Sequence, residues 1–319
     1  MKLRTITEPK QSGLRMRWFF ALALLPALMV AGLTTSLHAQ ALGWEGETGV
    51  FVTPLAYTAS DAHQKIHPVV AYHYFNAGPV IGDFHETSIE VGIGKRVELG
   101  YTHEFHTFGN DPQGVSFLWQ NGFDIFNGKV IVVPENYRKN NWVPAVSVGF
   151  MARTGDRNVG NYVDDAISTP TKINGKSNAD FYLVASKTVP VKHAGPLVAT
   201  LITGGMRATN AELWGMGGNT TGYQGAAFGS FAVVFKGPSK SLIAFASEAA
   251  QQPHHPKDFP TLNIPTTLTY AVRVFPTPKQ KLNLDFGVAQ IAGEVIGTGS
   301  AGLNLKARHQ VGAQVSYGF

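Results

Sequence analysis

The chain has 319 residues, with 26 Lys and Arg against 21 Asp and Glu, 15% charged residues, 35 glycines and no cysteine. The missing cysteine excludes disulfides, zinc fingers and other thiolate metal sites. Beyond Trp18–Leu33 no stretch approaches the eighteen or so consecutive apolar residues of a helical membrane span.

Residues 1–39 read as a cleavable signal peptide. Lys2, Arg4, Lys10, Arg15 and Arg17 form a basic start with Glu8 the one acid, Trp18–Leu33 is an apolar run, and Leu37-His38-Ala39 offers a cleavage site that leaves Gln40 first. The run falls short of the roughly 20 residues that span a bilayer. Removing the segment takes away five bases and one acid. The remaining domain, 40–319, then carries 21 bases and 20 acids, a net of +1. A basic surface for nucleic acid is therefore not expected.

Short alternating segments rich in Val, Phe, Tyr, Thr and Gly dominate the rest, which points to an all-β fold. Residues 49–58 form a candidate strand, broken by Pro54, which has no N–H for a ladder. Residues 68–76 give a second. Residues 87–105 read as a hairpin turning near Lys95-Arg96. Ile89, Val91, Ile93, Val97, Leu99, Tyr101 and Phe105 lie on one face, with Glu90, Glu98 and Glu104 on the other; His103 alone breaks the apolar side. Segments 117–126 and 129–133 are two candidate short strands, and 144–153 another, with Arg153 on its polar face. After a long polar stretch, 154–178, come 179–189 and 197–207, joined by a turn at 190–196. A second long loop is expected at 208–222.

Strands at 223–236 and 240–251 flank Gly237-Pro238-Ser239, and a third loop covers 252–265. Strands at 266–275 and 280–290 then flank 276–279, placing Arg273 and Asp285 on the polar face. A fourth loop covers 291–308 and the last strand 309–319. In that last strand Val311, Ala313, Val315, Tyr317 and Phe319 share one face, and Gln310, Gly312, Gln314, Ser316 and Gly318 the other. Short and long connections alternate, as in membrane barrels with short periplasmic turns and long extracellular loops. An apolar final strand left as an open edge invites aggregation, and a closed barrel removes the edge. The expectation is a single antiparallel transmembrane β-barrel of about twelve strands, range ten to fourteen, with the Pro54 segment outside the count.

The alternating pattern that ends in QVGAQVSYGF resembles Gram-negative outer-membrane β-barrel proteins as a class. That resemblance implies an outer-membrane location among its lipids, and a C-terminal assembly signal, Tyr317 and Phe319, read by the barrel-assembly machinery. NWVPAVSVGF (141–150), FYLVASKTV (181–189) and GVFVTPLAYTA (49–59) resemble, more loosely, the exopolysaccharide-associated YjbH-like barrels, which implies a tie to surface polysaccharide but no mechanism.

Chemical motifs are sparse. His103 and His106 are three apart, which on a strand sends them to opposite faces, so they cannot chelate as a helical pair would. His254-His255 sits between prolines in a loop. Ser147 is a candidate hydrolase serine, but no G-x-S-x-G elbow occurs. GMGGN (215–219) lacks the Lys-Ser/Thr of a phosphate loop. No catalytic, cofactor or metal site is expected. Glu90, Glu98, Glu104, Arg153, Arg273 and Asp285 are expected to line the lumen, where they either set the selectivity of a water-filled pore or pair across the interior and close it. The expectation is a channel or passive pore for small solutes. The alternative is a non-conducting envelope barrel serving polysaccharide export or membrane structure.

Overall fold

A computed structural model describes residues 41–60, 64–78, 82–108, 122–155, 177–192, 194–213, 217–253, 262–277, 280–295 and 309–319. The signal-peptide assignment lies outside these residues. So do most of the expected loops, 156–176, 254–261 and 296–308, together with His254 and His255.

Twelve strands close into one antiparallel barrel: β1 (Ile66–Asn76), β2 (Gly82–Ile93), β3 (Val97–Phe108), β4 (Phe123–Val133), β5 (Ala145–Gly155), β6 (Asn178–Pro190), β7 (Leu197–Leu213), β8 (Gly217–Lys236), β9 (Leu242–Gln251), β10 (Leu262–Phe275), β11 (Leu282–Val295) and β12 (His309–Gly318). Each strand pairs with its neighbours in sequence. β1 closes the ring on β12, in a register running from Val69 opposite Gly318 to Asn76 opposite Val311. Closure leaves no unpaired sheet edge, so every barrel strand has its backbone groups answered within the wall.

The period of two sorts side chains into an outer and an inner surface. Ile89, Leu99, Phe126, Phe150, Leu183, Phe231, Phe245, Phe286 and Val315 stand exposed on the outside, an apolar exterior suited to hydrocarbon. Tyr317 and Phe319 are also exposed, their rings edge to face with centroids 5.2 Å apart. An even-numbered antiparallel barrel with this exterior is an outer-membrane barrel.

Several expected elements differ from the structure. The described part of 117–133 forms one strand, β4. The region expected as a loop at 208–222 instead continues a hairpin: β7 runs on to Leu213 and β8 starts at Gly217, with Ala211 opposite Asn219 after a register shift at Thr209. Glycine and asparagine mark turns, but two paired strands outside the bilayer tolerate them, because neither face there must be apolar. The 49–58 segment is not a strand. It makes only isolated bridges, Leu42 with Thr48 and Gly49 with Pro54, and lies inside the barrel.

Candidate functional site: a lumen filled by residues 41–60

Between Ala41 and Ser60 only Trp44, Val52 and Tyr57 are even partly exposed. The segment folds on itself through tight turns: Gly43 N–H donates to Glu47 O (2.6 Å), Trp44 N–H to Phe51 O (2.7 Å), Val50 N–H to Thr53 O (2.9 Å) and Leu55 N–H to Thr48 O (3.0 Å). These bonds leave many backbone groups unanswered, and a buried unanswered group is costly. The barrel wall supplies the partners.

Glu248 on β9 is the clearest grip. Its buried carboxylate accepts the N–H groups of Phe51 (3.1 Å), Val52 (3.0 Å) and Thr53 (2.8 Å) and the Thr53 hydroxyl (2.6 Å). Successive amides converging on one carboxylate form an anion nest. Across the lumen, Glu98 of β3 accepts the N–H groups of Thr48 (2.9 Å) and Ala59 (2.6 Å) and the Thr48 hydroxyl. Lys129 of β4 pairs with Glu98 at 3.0 Å and donates to Thr48 O at 3.0 Å. Ser186 Oγ accepts the Ala56 N–H (2.9 Å), and Ser147 donates its hydroxyl to Ala56 O (2.6 Å).

Arg273 of β10 holds Asp285 (2.7 Å) and donates to the carbonyls of Gly49 (3.0 Å) and Val50. Glu45, carried by the segment itself, receives Arg153 of β5 and Arg207 of β7, and both arginines also reach Asp180 of β6 at 2.8 Å. These guanidiniums bridge plug and wall as one charge-assisted cluster.

Shape follows the same plan. Gly287 of β11 and Gly312 of β12 face each other in register, and Phe51 fills the notch they leave: an added Cβ would sit 2.9 and 2.5 Å from its ring. A Cβ on Gly92 would sit 2.5 Å from the Ala59 backbone. The wall carries glycine where the segment presses closest.

Glu90, Glu98, Glu104, Arg153 and Asp285 are buried in the interior, and Arg273 is partly buried there. Glu98, Arg153 and Arg273 touch the segment directly, Asp285 orients Arg273, and Glu90 accepts from Asn127 (3.0 Å). Glu104 stands opposite Glu86 across the β2–β3 ladder. Sequence reasoning missed Glu45, Glu47, Glu86, Lys129, Asp180, Arg207 and Glu248. For Glu86, Asp180, Arg207 and Glu248 the signal was available, since each has strand parity on the polar side; Lys129 shares its parity with Phe123, Ile125 and Ile131, which hides it. Glu45 and Glu47 had none, because an irregular segment has no period.

On the outside, His103 and Tyr101 both meet Asp124, at 2.9 and 2.7 Å, and Tyr72 meets His85 at 2.6 Å. These polar residues on the outer face thus form a satisfied cluster toward the end of the barrel away from the short turns. His106 faces the other side of β3 from His103. Among the described residues no group of three His, Asp or Glu is placed to hold a metal.

No family model and no curated protein matches the chain. Among solved structures it is similar to the KdgM porin (9% identity, 79% of this chain and 99% of that one, TM-score 0.42) and the NanC porin (8%, 79% and 98%, TM-score 0.43). It is also similar to LpxR from Salmonella typhimurium (9%, 78% and 99%, TM-score 0.45). The YjbH-like resemblance gains no support from these comparisons.

Proposed function

We propose that this outer-membrane barrel is a channel for small solutes held shut by its own N-terminal segment. The observation that carries the reading is the seat itself. Residues 41–60 fill the lumen through reversible contacts, hydrogen bonds and glycine notches, and a single wall carboxylate, Glu248, holds one whole turn of the plug. Nothing covalent fixes that turn, so its release is a matter of free energy alone. Among the described interior residues nine carboxylates (Glu45, Glu47, Glu86, Glu90, Glu98, Glu104, Asp180, Glu248, Asp285) meet four cations (Lys129, Arg153, Arg207, Arg273). Withdrawing the plug removes only two of the acids, so the opened lumen favours cations. Ser147 gives its hydroxyl to the Ala56 carbonyl of the plug, which supports a part in seating it. Assembly through Tyr317 and Phe319 by the barrel-assembly machinery belongs to the same reading.

Planar-bilayer recordings test it. The intact protein is expected to be mostly closed. Glu248→Ala, and a chain lacking 41–60, are expected to give discrete, cation-preferring openings. Folded barrels of both variants that stay silent in every salt would overturn the channel and leave the non-conducting envelope barrel, which a lumen packed with ion pairs also suits.

A further inference from the structure

The plug does not fill the lumen evenly. Near the short turns, between Leu55 and Tyr57 of the plug and the inner wall of β8–β10, lies a cavity of about 60 Å³. Ala232, Ala244, Ala271 and Phe275 make its apolar wall, with Thr188, Arg273, Gln280 and Asp285 at its margin. Barrel interiors are ordinarily polar. Here three adjacent strands turn methyl groups inward instead. If these positions served only to pack the plug, larger side chains would close the void, since an empty apolar space weakens the contacts around it. Three alanines keep it open. Polar groups at its margin are engaged with one another: Tyr57 and Thr188 share a hydrogen bond of 2.8 Å, and Arg273 is held by Asp285 and the plug carbonyls. An incoming molecule finds hydrocarbon and no free hydrogen-bonding partner among these groups.

We propose that this cavity is a binding site for a short alkyl group, presented by a small molecule whose polar part stays in the water at the turn end. An apolar cavity of about 150 Å³ takes a benzene ring. A cavity less than half that size takes a short branched chain instead. The site shares Leu55 with the turn that follows the Glu248 grip, so its occupant rests against the plug. The inference depends on the seated plug and not on conduction.

The protein has no cysteine, so a single one reports cleanly. In Ala244→Cys, labelling by a small water-soluble methanethiosulfonate is expected to slow at least threefold with isobutanol and to be unchanged by glycerol at the same concentration. Lys236→Cys, at the same end but outside the cavity, is expected to label equally fast with either. Adding Ala271→Phe to Ala244→Cys is expected to abolish the isobutanol effect. Ala232→Cys reads the same wall should Ala244→Cys not fold. Equal slowing at both cysteines, protection by glycerol, or no protection by isobutanol each overturns the site. Bilayer recordings on the same preparations report separately on the channel, so the two readings fail independently.

Discussion

The two sides of the lumen hold the same segment by different means. On the β3–β7 side, the plug is bound by charge: Glu98 with Lys129, and Glu45 with Arg153 and Arg207. On the β8–β12 side it is held by shape, with Phe51 in the Gly287–Gly312 notch and Leu55 over alanines, together with Glu248 on the plug amides and Arg273, paired with Asp285, on the plug carbonyls. Buried ion pairs are stringent about geometry and costly to break. Apolar contacts against small side chains are easily slid apart. The β3–β7 side, with the larger ion-pair cluster, therefore fixes where the plug sits, and the β8–β12 side, where more of the hold is shape, is where it can begin to leave.

The harshest way to break this contrast is on the charged side. Glu45→Ala takes a buried carboxylate from both Arg153 and Arg207. Removing one partner of a buried pair costs about 3–5 kcal/mol. The expected result is a folded barrel with a much lower denaturation midpoint and a plug open to protease. An unchanged midpoint would mean the cluster is not a shared anchor.

A milder change acts on shape. Gly312→Leu puts a side chain where Phe51 lies, and the ring cannot remain. Overpacking of this kind costs typically about 1–3 kcal/mol. It is expected to loosen the β11–β12 side while leaving the Glu45 cluster closed, so proteolysis should cut near Phe51 before it cuts near Glu45. Simultaneous cutting at both would show that the plug moves as one block.

These differences bear on what the chain spells out. The barrel was legible because alternation is imposed by the bilayer: Ile89, Leu99, Val311 and Val315 must meet hydrocarbon, and their neighbours must not. The strand ends were less so. Beyond the bilayer both faces are wet, and the extension of β7 and β8 past Arg207 carries no apolar period. The plug was legible only as a candidate strand broken by Pro54 and left out of the count. Its seat was not, because Glu45 meets Arg207 and Phe51 meets Glu248 across 162 and 197 positions of sequence. Inward parity places a residue in the lumen but does not say what fills it. That is why Glu90 and Glu98, alike by pattern, differ in role: one bonds Asn127 and the other holds the plug.

The smallest change tests how finely the charged side is tuned. Thr48 gives both its N–H and its hydroxyl to Glu98, while its carbonyl accepts from Lys129. Thr48→Ala removes only the hydroxyl. A hydrogen bond to a charged group contributes roughly 1.5–3 kcal/mol, but Glu98 keeps the amides of Thr48 and Ala59 and the ammonium of Lys129, so the loss should fall near the bottom of that range. Thr48→Val keeps the volume and should lose as much, because the hydroxyl and not the methyl is what Glu98 uses. Urea midpoints of the two variants in detergent are expected to coincide, slightly below that of the intact protein. A Val variant as stable as the intact protein would show that Lys129 and the two amides already satisfy Glu98.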